Sequence, residues 1–316
     1  MVNVAEAIGN TPLVALDRLT AGMDGRILAK LECFNPGYSK KDRAALRTVE
    51  DARANGSLAP GQVVVELTSG NMGTGLAIAA LAFGHPFVAV MSRGNSAERA
   101  TMMRALGAEV VLVDQAEGGI AGQVSKADLE LVEERACRET LNRNAFMADQ
   151  FNNSSNWRAH FDTTGPEIWE QSERAITAFC DFVGSGGTYA GVTRYLKQQR
   201  PDIACYLVEP EGAAVLSGER LRDPNHPIQG GGYSRRNLRF LDNVPVDGYL
   251  TVTGEEARDT ARHLAAVEGI FAGYSTGANC AAALKLWDGP LKGASIAIIV
   301  CDSGLKYLST DLWSDI

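Results

Sequence analysis

Short apolar runs alternate with helical patterns along most of the chain, and this alternation limits the possible fold more than any other feature. The β-branched run 63–67 is followed by a helix of small residues over 72–83, and the apolar run 88–91 by a helix over 96–106. A further strand is predicted at 109–113. Strands that are apolar on both faces and separated by helices are typical of a parallel sheet covered on both sides. The sequence therefore predicts an α/β fold.

A polar stretch interrupts this pattern near the middle of the chain and predicts a second domain. Residues 152–156 are all asparagine or serine, and strand and helix patterns resume after them. We therefore predict two α/β domains, residues 1–145 and 146–316, each with a mostly parallel, helix-covered sheet. Ligands are expected where the carboxyl ends of strands meet helix N-termini. The largely irregular stretch 211–246 is too long for a passive connection and is expected to cover or line a site.

Composition excludes several kinds of partner. The 316 residues carry a net charge of −8, which disfavours nucleic acid and anionic membranes as partners. The six cysteines lie far apart without the spacing of a metal site, so we predict no metal and expect free thiols of a reducing compartment. The amino terminus lacks a basic segment followed by an apolar run, and the apolar stretch 76–91 is interrupted by Gly84-His85-Pro86. These features predict a cytoplasmic protein.

Two adjacent lysines, Lys40 and Lys41, stand at the predicted start of a helix over 40–54, for which Ser39 is the expected N-cap. Positive charge beside a helix N-terminus is unfavourable by a few tenths of a kcal/mol, up to about 1 kcal/mol. The same repulsion lowers the pKa of an amine, which benefits a lysine that must react as a neutral nucleophile. The structural alternative is a solvated basic turn.

The loop Gly184-Ser185-Gly186-Gly187-Thr188 follows an apolar strand and opens a helix. Its glycines allow main-chain N–H groups to surround a phosphate, to which the Ser and Thr hydroxyls and the helix dipole add. The dinucleotide-binding pattern needs glycine where Tyr189 stands, and the Walker pattern needs a Gly-Lys-Ser/Thr that is absent here. A single phosphate is therefore favoured over a pyrophosphate, with a ligand-free turn as the structural alternative.

Two further polar loops precede helices. Thr68-Ser69-Gly70-Asn71 offers hydroxyls and N–H groups suited to a carboxylate, and Gly273-Tyr274-Ser275-Thr276-Gly277 is a third polar loop. Ordinary helix capping is the structural alternative for both. A lysine, a site for one phosphate and a site for a carboxylate together describe a definite chemistry. Pyridoxal 5′-phosphate (PLP) has one phosphate, forms a Schiff base with lysine and acts on amino acids.

Taken in order, these motifs resemble the fold type II PLP enzymes, and within them the cysteine synthase (O-acetylserine sulfhydrylase) and cystathionine β-synthase family. The matching segments are Ile8-Gly9-Asn10-Thr11-Pro12-Leu13, Ser39-Lys40-Lys41-Asp42-Arg43, Thr68-Ser69-Gly70-Asn71, Gln150-Phe151, Thr163-Thr164-Gly165-Pro166-Glu167-Ile168, Gly184-Ser185-Gly186-Gly187-Thr188, Gly273-Tyr274-Ser275 and Tyr307-Leu308-Ser309-Thr310. The resemblance covers nearly the whole chain. It implies the fold of that family, which is similar to the β subunit of tryptophan synthase, and a homodimer.

The resemblance also implies roles for individual residues. The family pattern Ser-x-Lys-Asp-Arg selects Lys41 over Lys40 as the Schiff-base lysine and general base. The residues implied to bind the cofactor are Gly184, Ser185, Gly186, Gly187 and Thr188 at its phosphate, Asn71 at its ring hydroxyl and Ser275 at its pyridine nitrogen. Those implied to bind the amino-acid substrate are Thr68, Ser69, Asn71, Met72 and Gln150.

The implied reaction is β-replacement on an O-activated L-serine through an aminoacrylate intermediate. In its simplest form, O-acetylserine and sulfide give L-cysteine and acetate. A hydroxyl such as Ser275 at the pyridine nitrogen suits elimination, because it does not hold a proton there as a carboxylate would. Other substrates stay open: O-phosphoserine as donor, or an amine or thiol nucleophile as in N-(2-amino-2-carboxyethyl)-glutamate and cystathionine synthases. A β-eliminating dehydratase and a non-catalytic PLP-bound binding protein are further alternatives.

The chain departs from the usual cysteine synthase pattern at several positions. Tyr38 stands in place of a glycine and Met72 in place of a threonine, and both are expected to narrow the pocket. The run 230–236, which ends in Arg235 and Arg236, replaces a different glycine-rich segment. We hypothesise that these arginines bind a phosphate leaving group or a carboxylate-bearing nucleophile, with a solvated loop as the alternative. No appended regulatory domain is expected after the last motif.

Overall fold

Strands and helices alternate along the chain, as the sequence pattern predicts. The computed structural model describes residues 3–120, 122–224 and 226–314. Its strands are β1 (Leu13–Ala15), β2 (Arg26–Leu31), β3 (Val64–Leu67), β4 (Phe87–Ser92), β5 (Glu109–Val113), β6 (Phe146–Met147), β7 (Ala178–Phe182), β8 (Ala204–Pro210), β9 (Gly248–Val252) and β10 (Ser295–Val300). Its helices are α1 (Lys41–Ala54), α2 (Asn71–Phe83), α3 (Ala97–Ala105), α4 (Lys126–Asn142), α5 (Ser155–Ala159), α6 (Gly165–Gln171), α7 (Gly187–Gln199), α8 (Gly254–Glu268) and α9 (Tyr274–Trp287).

Two sheets hold these strands. The smaller sheet has the order β5-β4-β3-β6 and is parallel throughout. The larger sheet has the order β1-β2-β10-β7-β8-β9 and is parallel except for the β1–β2 pair. Apolar clusters lie on both faces of each sheet, which explains why the central strands are apolar at nearly every position. The predicted α/β class with two mostly parallel, helix-covered sheets is confirmed.

The strands of the two sheets are not separated by the predicted domain boundary between residues 145 and 146. β1 and β2 precede the smaller sheet in sequence but belong to the larger one, where β2 lies between β1 and β10. β6 follows the predicted boundary and belongs to the smaller sheet. The β2–β10 pairing joins opposite ends of the chain, so nothing in the local sequence pattern indicates it.

Helices α1 and α2 approach closely because small residues line their contact. A β-carbon at Gly75 of α2 would lie 2.9 Å from Cβ of Ala45 and 3.2 Å from the main-chain oxygen of Lys41, both in α1. These distances leave no room for a side chain at position 75 without a shift of one helix. The packing therefore fixes the first turn of α1, which carries Lys41, against the start of α2.

Several smaller predictions can also be compared with the structure. All six cysteines are free thiols, as predicted, and four of them are buried. Within the described part of the stretch 211–246, the regular structure is a single 3-10 turn at Arg239–Leu241. None of the helices in the three described ranges is long and apolar enough to cross a membrane.

Candidate active site

A pocket opens at the carboxyl ends of β3, β7 and β10. Strands of both sheets therefore end at it, in the position where parallel α/β sheets usually bind ligands. The lining includes every residue that the family resemblance implies to bind the cofactor or the amino-acid substrate. These residues are Lys41, Thr68, Ser69, Asn71, Met72, Gln150, Gly184, Ser185, Gly186, Gly187, Thr188 and Ser275.

The two adjacent lysines differ in their surroundings. Lys41 is the first residue of α1, and its Nζ lies 3.1 Å from Oγ of Ser185. Burial lowers the pKa of Lys41 to about 8, and the neighbouring Lys40 ammonium adds to the shift. Lys40 donates to both oxygens of Asp181, at 2.7 and 2.8 Å. Burial alone would lower the pKa of Lys40, but the Asp181 carboxylate raises it above the usual value. Lys41 is therefore the more available of the two as a neutral amine.

The start of α1 differs by one residue from the prediction. The observed N-cap is Lys40 rather than Ser39, and no side chain caps the helix there. The Ser39 hydroxyl nevertheless accepts a hydrogen bond from the main-chain N–H of Lys41 at 3.3 Å. Asp42 follows in the first turn, where a negative charge is favourable beside the helix N-terminus.

The predicted phosphate loop leads directly into α7. Gly186 is the N-cap, its φ of +84° favours glycine, and no side chain caps the helix. The N–H groups of the first turn are therefore left for a ligand. A β-carbon at Gly187 would overlap Oδ1 of Asn156, so this position admits no side chain. The hydroxyls of Ser185 and Thr188 line the same part of the pocket.

Two side chains outside the predicted motifs hold these hydroxyls. Asn156 donates through Nδ2 to Oγ of Ser185 at 3.0 Å. Nε2 of His160 lies 3.2 Å from Oγ1 of Thr188. Burial, and then the nearby Arg43 guanidinium, keeps the pKa of His160 well below its usual value, so the imidazole is neutral. Both side chains are uncharged, so they place no negative charge beside the loop that would repel an anionic ligand.

Asn71 is held in one orientation by two charged partners. Its Nδ2 donates to Oδ2 of Asp302 at 2.7 Å, and its Oδ1 accepts from Nζ of Lys306 at 2.7 Å. Burial lowers the pKa of Lys306 to about 8, against the opposing effects of the Asp302 and Asp42 carboxylates. A carboxylate cannot donate and a lysine cannot accept, so the Asn71 amide cannot turn over. One N–H of Asn71 remains for a ligand in the pocket.

The predicted carboxylate loop forms the start of α2. Oγ1 of Thr68 accepts hydrogen bonds from the main-chain N–H groups of residues 70 and 73, each at 2.9 Å. Oγ of Ser69 lies 2.7 Å from the hydroxyl of Tyr233, which comes from the irregular stretch of the chain. These contacts leave the N–H groups of residues 71 and 72 at the helix start for an anion.

Ser275 is the second residue of α9 and lies beside the thiol of Cys301. Burial raises the pKa of Cys301 to about 12, so its thiol stays protonated. Asp181 is the carboxylate in this part of the pocket, with Oδ1 3.9 Å from Sγ of Cys301. Its charge is balanced by Lys40. A hydroxyl and a neutral thiol therefore form the wall where the pyridine nitrogen is expected.

The two arginines singled out in the sequence lie outside the pocket lining. The guanidinium of Arg235 stacks on the ring of Phe151 at 4.6 Å and pairs with Glu133 of α4 at 2.9 Å. Arg236 donates to the main-chain oxygen of residue 219. Phe151 lines the pocket, so Arg235 contacts the pocket wall from outside, but neither guanidinium is part of the lining; that these arginines bind a substrate anion stays a prediction.

The two residues expected to narrow the pocket behave differently. Met72 lines the pocket and is buried, in agreement with the expectation. Tyr38 is 45% exposed and lines a separate surface groove, so the expectation is wrong for this residue. Its φ of +60° places it in the left-handed region, which explains why glycine also suits this position.

Sequence reasoning missed several residues that line the pocket or contact its lining residues. Asp181 stands in an apolar strand, where a charge is costly unless it is paired, so a signal for it was present. The same holds for Glu66 in β3. Tyr233, which lines the pocket, and Lys306, which donates to Asn71, come from segments without a regular pattern, and only the folded chain brings them to these positions.

Comparisons with known proteins agree with this geometry. The family model described as pyridoxal-phosphate dependent enzyme matches residues 4–302. The chain is 42% identical over 315 residues to cysteine synthase 3 of Caenorhabditis elegans, covering 98% of this chain and 89% of that protein. It is 41% identical over 318 residues to cysteine synthase A of Escherichia coli (strain K12), covering 98% of this chain and 94% of that protein.

A solved structure gives the same result for the fold. The chain is similar to O-ureido-L-serine synthase with a TM-score of 0.88 and 37% identity, covering 100% of this chain and 96% of that one. The predicted resemblance, fold and cofactor are confirmed. The chain therefore belongs to the pyridoxal-phosphate dependent enzymes of fold type II, and PLP is its cofactor.

Proposed function

We propose that this protein is a cysteine synthase, which converts O-acetyl-L-serine and sulfide to L-cysteine and acetate. The observation that carries the proposal is the position of Lys41. Its amine, with a pKa lowered to about 8, lies 3.1 Å from the predicted phosphate loop and in the same pocket as the predicted carboxylate loop. The similarity to two cysteine synthases supports this choice of substrates.

The pocket residues fit PLP at each of its polar groups. The uncapped start of α7, with Ser185 and Thr188, would hold the single phosphate. The remaining N–H of Asn71 would bind the ring hydroxyl, Ser275 would face the pyridine nitrogen, and Lys41 would form the Schiff base. When bound, the cofactor supplies an electron-withdrawing ring that makes the α-hydrogen of an attached amino acid acidic.

The chain's own residues would carry the remaining steps. The N-terminus of α2, with Thr68 and Ser69, holds the substrate carboxylate and so orients the α-carbon. Lys41, freed as the substrate binds, removes the α-proton as general base and returns it at the end, a task for which a pKa of about 8 is suitable. We also propose that the smaller sheet and the helices that cover it form a domain that closes over the substrate and excludes water.

The charges in the pocket favour a substrate with an uncharged acetyl ester over one with a phosphate ester. Besides Lys41, the lining cations are Lys40 and Arg99, within the part of the chain that the structure describes. Lys40 is balanced by Asp181. Arg99 donates through Nη1 to the main-chain oxygen of Ser69 at 2.7 Å, and its Nη2 lies 3.8 Å from Asp302. A second phosphate, in addition to that of the cofactor, would therefore be poorly neutralised, which favours O-acetylserine over O-phosphoserine.

A β-replacement with a different nucleophile is the second candidate. The similarity to O-ureido-L-serine synthase favours it, because the name of that enzyme indicates a nucleophile other than sulfide. The hydroxyl of Tyr233, 2.7 Å from Oγ of Ser69, also adds a polar group on the substrate side of the pocket. A panel of nucleophiles offered with O-acetylserine, with products separated by mass, distinguishes the two candidates.

Two matched lysine variants test the proposal. Lys41→Arg removes the amine that would form the Schiff base, whereas Lys40→Arg retains a cation for Asp181 at the adjacent position. We expect cofactor-loaded Lys40→Arg to make cysteine from O-acetylserine and sulfide. For Lys41→Arg, we expect the rate of cysteine formation to fall by at least about 10³-fold. Full turnover by Lys41→Arg, or a mass spectrum that places the reduced cofactor adduct on another lysine, would refute the assignment.

Assembly and compartment are part of the same proposal. We propose a homodimer formed through a surface groove lined by exposed apolar side chains, among them Phe34, Tyr38, Phe271 and Leu305. Such a patch on a protein surface usually marks an interface. The six free thiols support a reducing compartment, and we propose the cytoplasm.

A further inference from the structure

The side-chain amide of Gln150 lines the pocket with both of its N–H groups already engaged. Nε2 donates to the main-chain oxygen of Leu67 at 2.8 Å and to Oε1 of Glu66 at 2.9 Å. A primary amide has only two such hydrogens, and turning it over would place its oxygen against the Leu67 oxygen. A substrate carboxylate only accepts hydrogen bonds. It can therefore bind Gln150 only if one of the two existing bonds is given up.

Glu66 is the partner that can release Gln150, because a proton can replace the lost hydrogen bond. Its carboxyl group is buried in β3, and no hydrogen bond to its Oε2 is found within the described residues. Burial raises the pKa of Glu66 to about 8, and the Asp149 carboxylate adds to the shift. The main-chain oxygen of Leu67 has no such alternative.

Few other charges bear on Glu66. From α1, the ammonium group of Lys41 interacts with it, and from the loop after β6, Asp149 does so. Helix α2, on the same side of the sheet, carries no titratable side chain, and Ala89, the partner of Glu66 in β4, carries none either. In the holoenzyme, Lys41 is joined to the cofactor under the proposed function, which leaves Asp149 as the main charged neighbour.

We propose that the substrate carboxylate binds only to the form of the site in which Glu66 is protonated: the carboxylate accepts the Gln150 N–H that now goes to Glu66, and a Glu66 that is ionised beforehand takes up one proton from solvent. One O–H bond forms at Glu66, no bond to carbon changes, and the substrate keeps its charge. Two charged carboxylates would otherwise compete for one amide in a buried site, which is unfavourable. Glu66 is thus a positioning residue that acts through Gln150. This inference rests on the proposed function, since it requires an amino-acid substrate in this pocket.

The test uses the cofactor-loaded enzyme and propionate as the ligand. Propionate has a carboxylate and no amine, so ionisation of a substrate amine cannot contribute to the pH dependence. Binding is measured by calorimetry between pH about 6.5 and about 9.5, in two buffers with different enthalpies of ionisation. For the wild type, we expect the Kd to rise by about tenfold per pH unit above the Glu66 pKa, with proton uptake approaching one per ligand. For Glu66→Gln, which keeps the shape and stays neutral, we expect a constant Kd and no uptake.

A second buried glutamate provides the matched control. Glu209 accepts hydrogen bonds from the main-chain N–H groups of residues 216 and 217 and is not part of the pocket lining, so Glu209→Gln should keep the wild-type pH dependence. If Glu66→Gln does not fold, infrared difference spectra of the wild type replace it. Propionate binding above pH about 8 should then add the C=O stretch of a protonated carboxyl group.

The outcomes separate this inference from the proposed function. An enzyme that makes cysteine but binds propionate without proton uptake at any pH overturns the role of Glu66 and leaves the function intact. The same pH dependence in the wild type and Glu66→Gln does so too. An absence of cofactor binding or turnover would instead overturn the proposed function.

Discussion

The buried ion pair between Lys40 and Asp181 allows a quantitative prediction. The Asp181 side chain is 2% exposed, whereas that of Lys40 is 11% exposed and borders the pocket. Removing one partner of a buried pair typically costs about 3–5 kcal/mol, because it leaves an unpaired charge. Lys40→Met leaves the Asp181 carboxylate buried without a partner, so the loss of unfolding free energy should reach this range. Asp181→Asn should cost less, since the Lys40 ammonium can stay hydrated at the pocket wall.

The double variant Lys40→Met/Asp181→Asn removes both charges and should be more stable than Lys40→Met, because no charge is left unpaired. Asn at position 181 can still accept the hydrogen bond that Asp181 accepts from Asn279 at 3.2 Å. The assay is urea unfolding of the four cofactor-free proteins, followed by far-ultraviolet circular dichroism and linear extrapolation. A loss below about 1 kcal/mol for Lys40→Met would refute the reasoning, as would a double variant whose loss equals the sum of the single losses.

Two further predictions concern Lys41 and the exposed groove. Because burial lowers the pKa of Lys41 from 10.5 to about 8, the unfolded chain binds more protons at this residue between these pH values. The unfolding free energy of the cofactor-free wild type, measured relative to Lys41→Met, should therefore rise as the pH increases from about 8 to about 10.5, and a flat difference would contradict the lowered pKa. Phe34→Glu, at a residue 66% exposed in the groove, should convert the proposed dimer to a monomer by light scattering, whereas Leu141→Glu, at another exposed apolar residue outside this groove, should leave it dimeric.

The local sequence pattern accounted for most of the regular elements. The strand predicted at 109–113 matches β5, and the helix predicted at 72–83 differs from α2 by one residue. Such elements depend on apolar periodicity and on turn and capping residues within a few positions, all of which can be read locally. β1 and β2 were not predicted, because their position in the larger sheet depends on the pairing of β2 with β10 near the other end of the chain.

For the candidate site too, some features could be predicted from the sequence and others depend on the fold. The three polar loops, the lysine pair and their order are features of the sequence, and they were sufficient to predict one phosphate, one carboxylate and a Schiff-base lysine. Only the fold brings Asp181 to Lys40 and leaves Lys41 beside Ser185. The physical reason is that the charge state of a buried amine depends on its partners, and those partners lie more than a hundred residues away along the chain.

The partners of Arg235 and of Gln150 were likewise decided by the tertiary structure. Arg235 could be recognised in the sequence as a cation, but its pairing with Glu133 of α4 follows from the packing of the irregular stretch against that helix. Gln150 could be placed at the pocket, but its engagement with Glu66 depends on the adjacency of β3 and β6. Residue type and spacing along the chain thus determined which chemical groups this protein has for its chemistry. The tertiary contacts decided which of those groups are free, because a hydrogen bond or an ion pair to a distant residue removes a group from use without any trace in its local sequence.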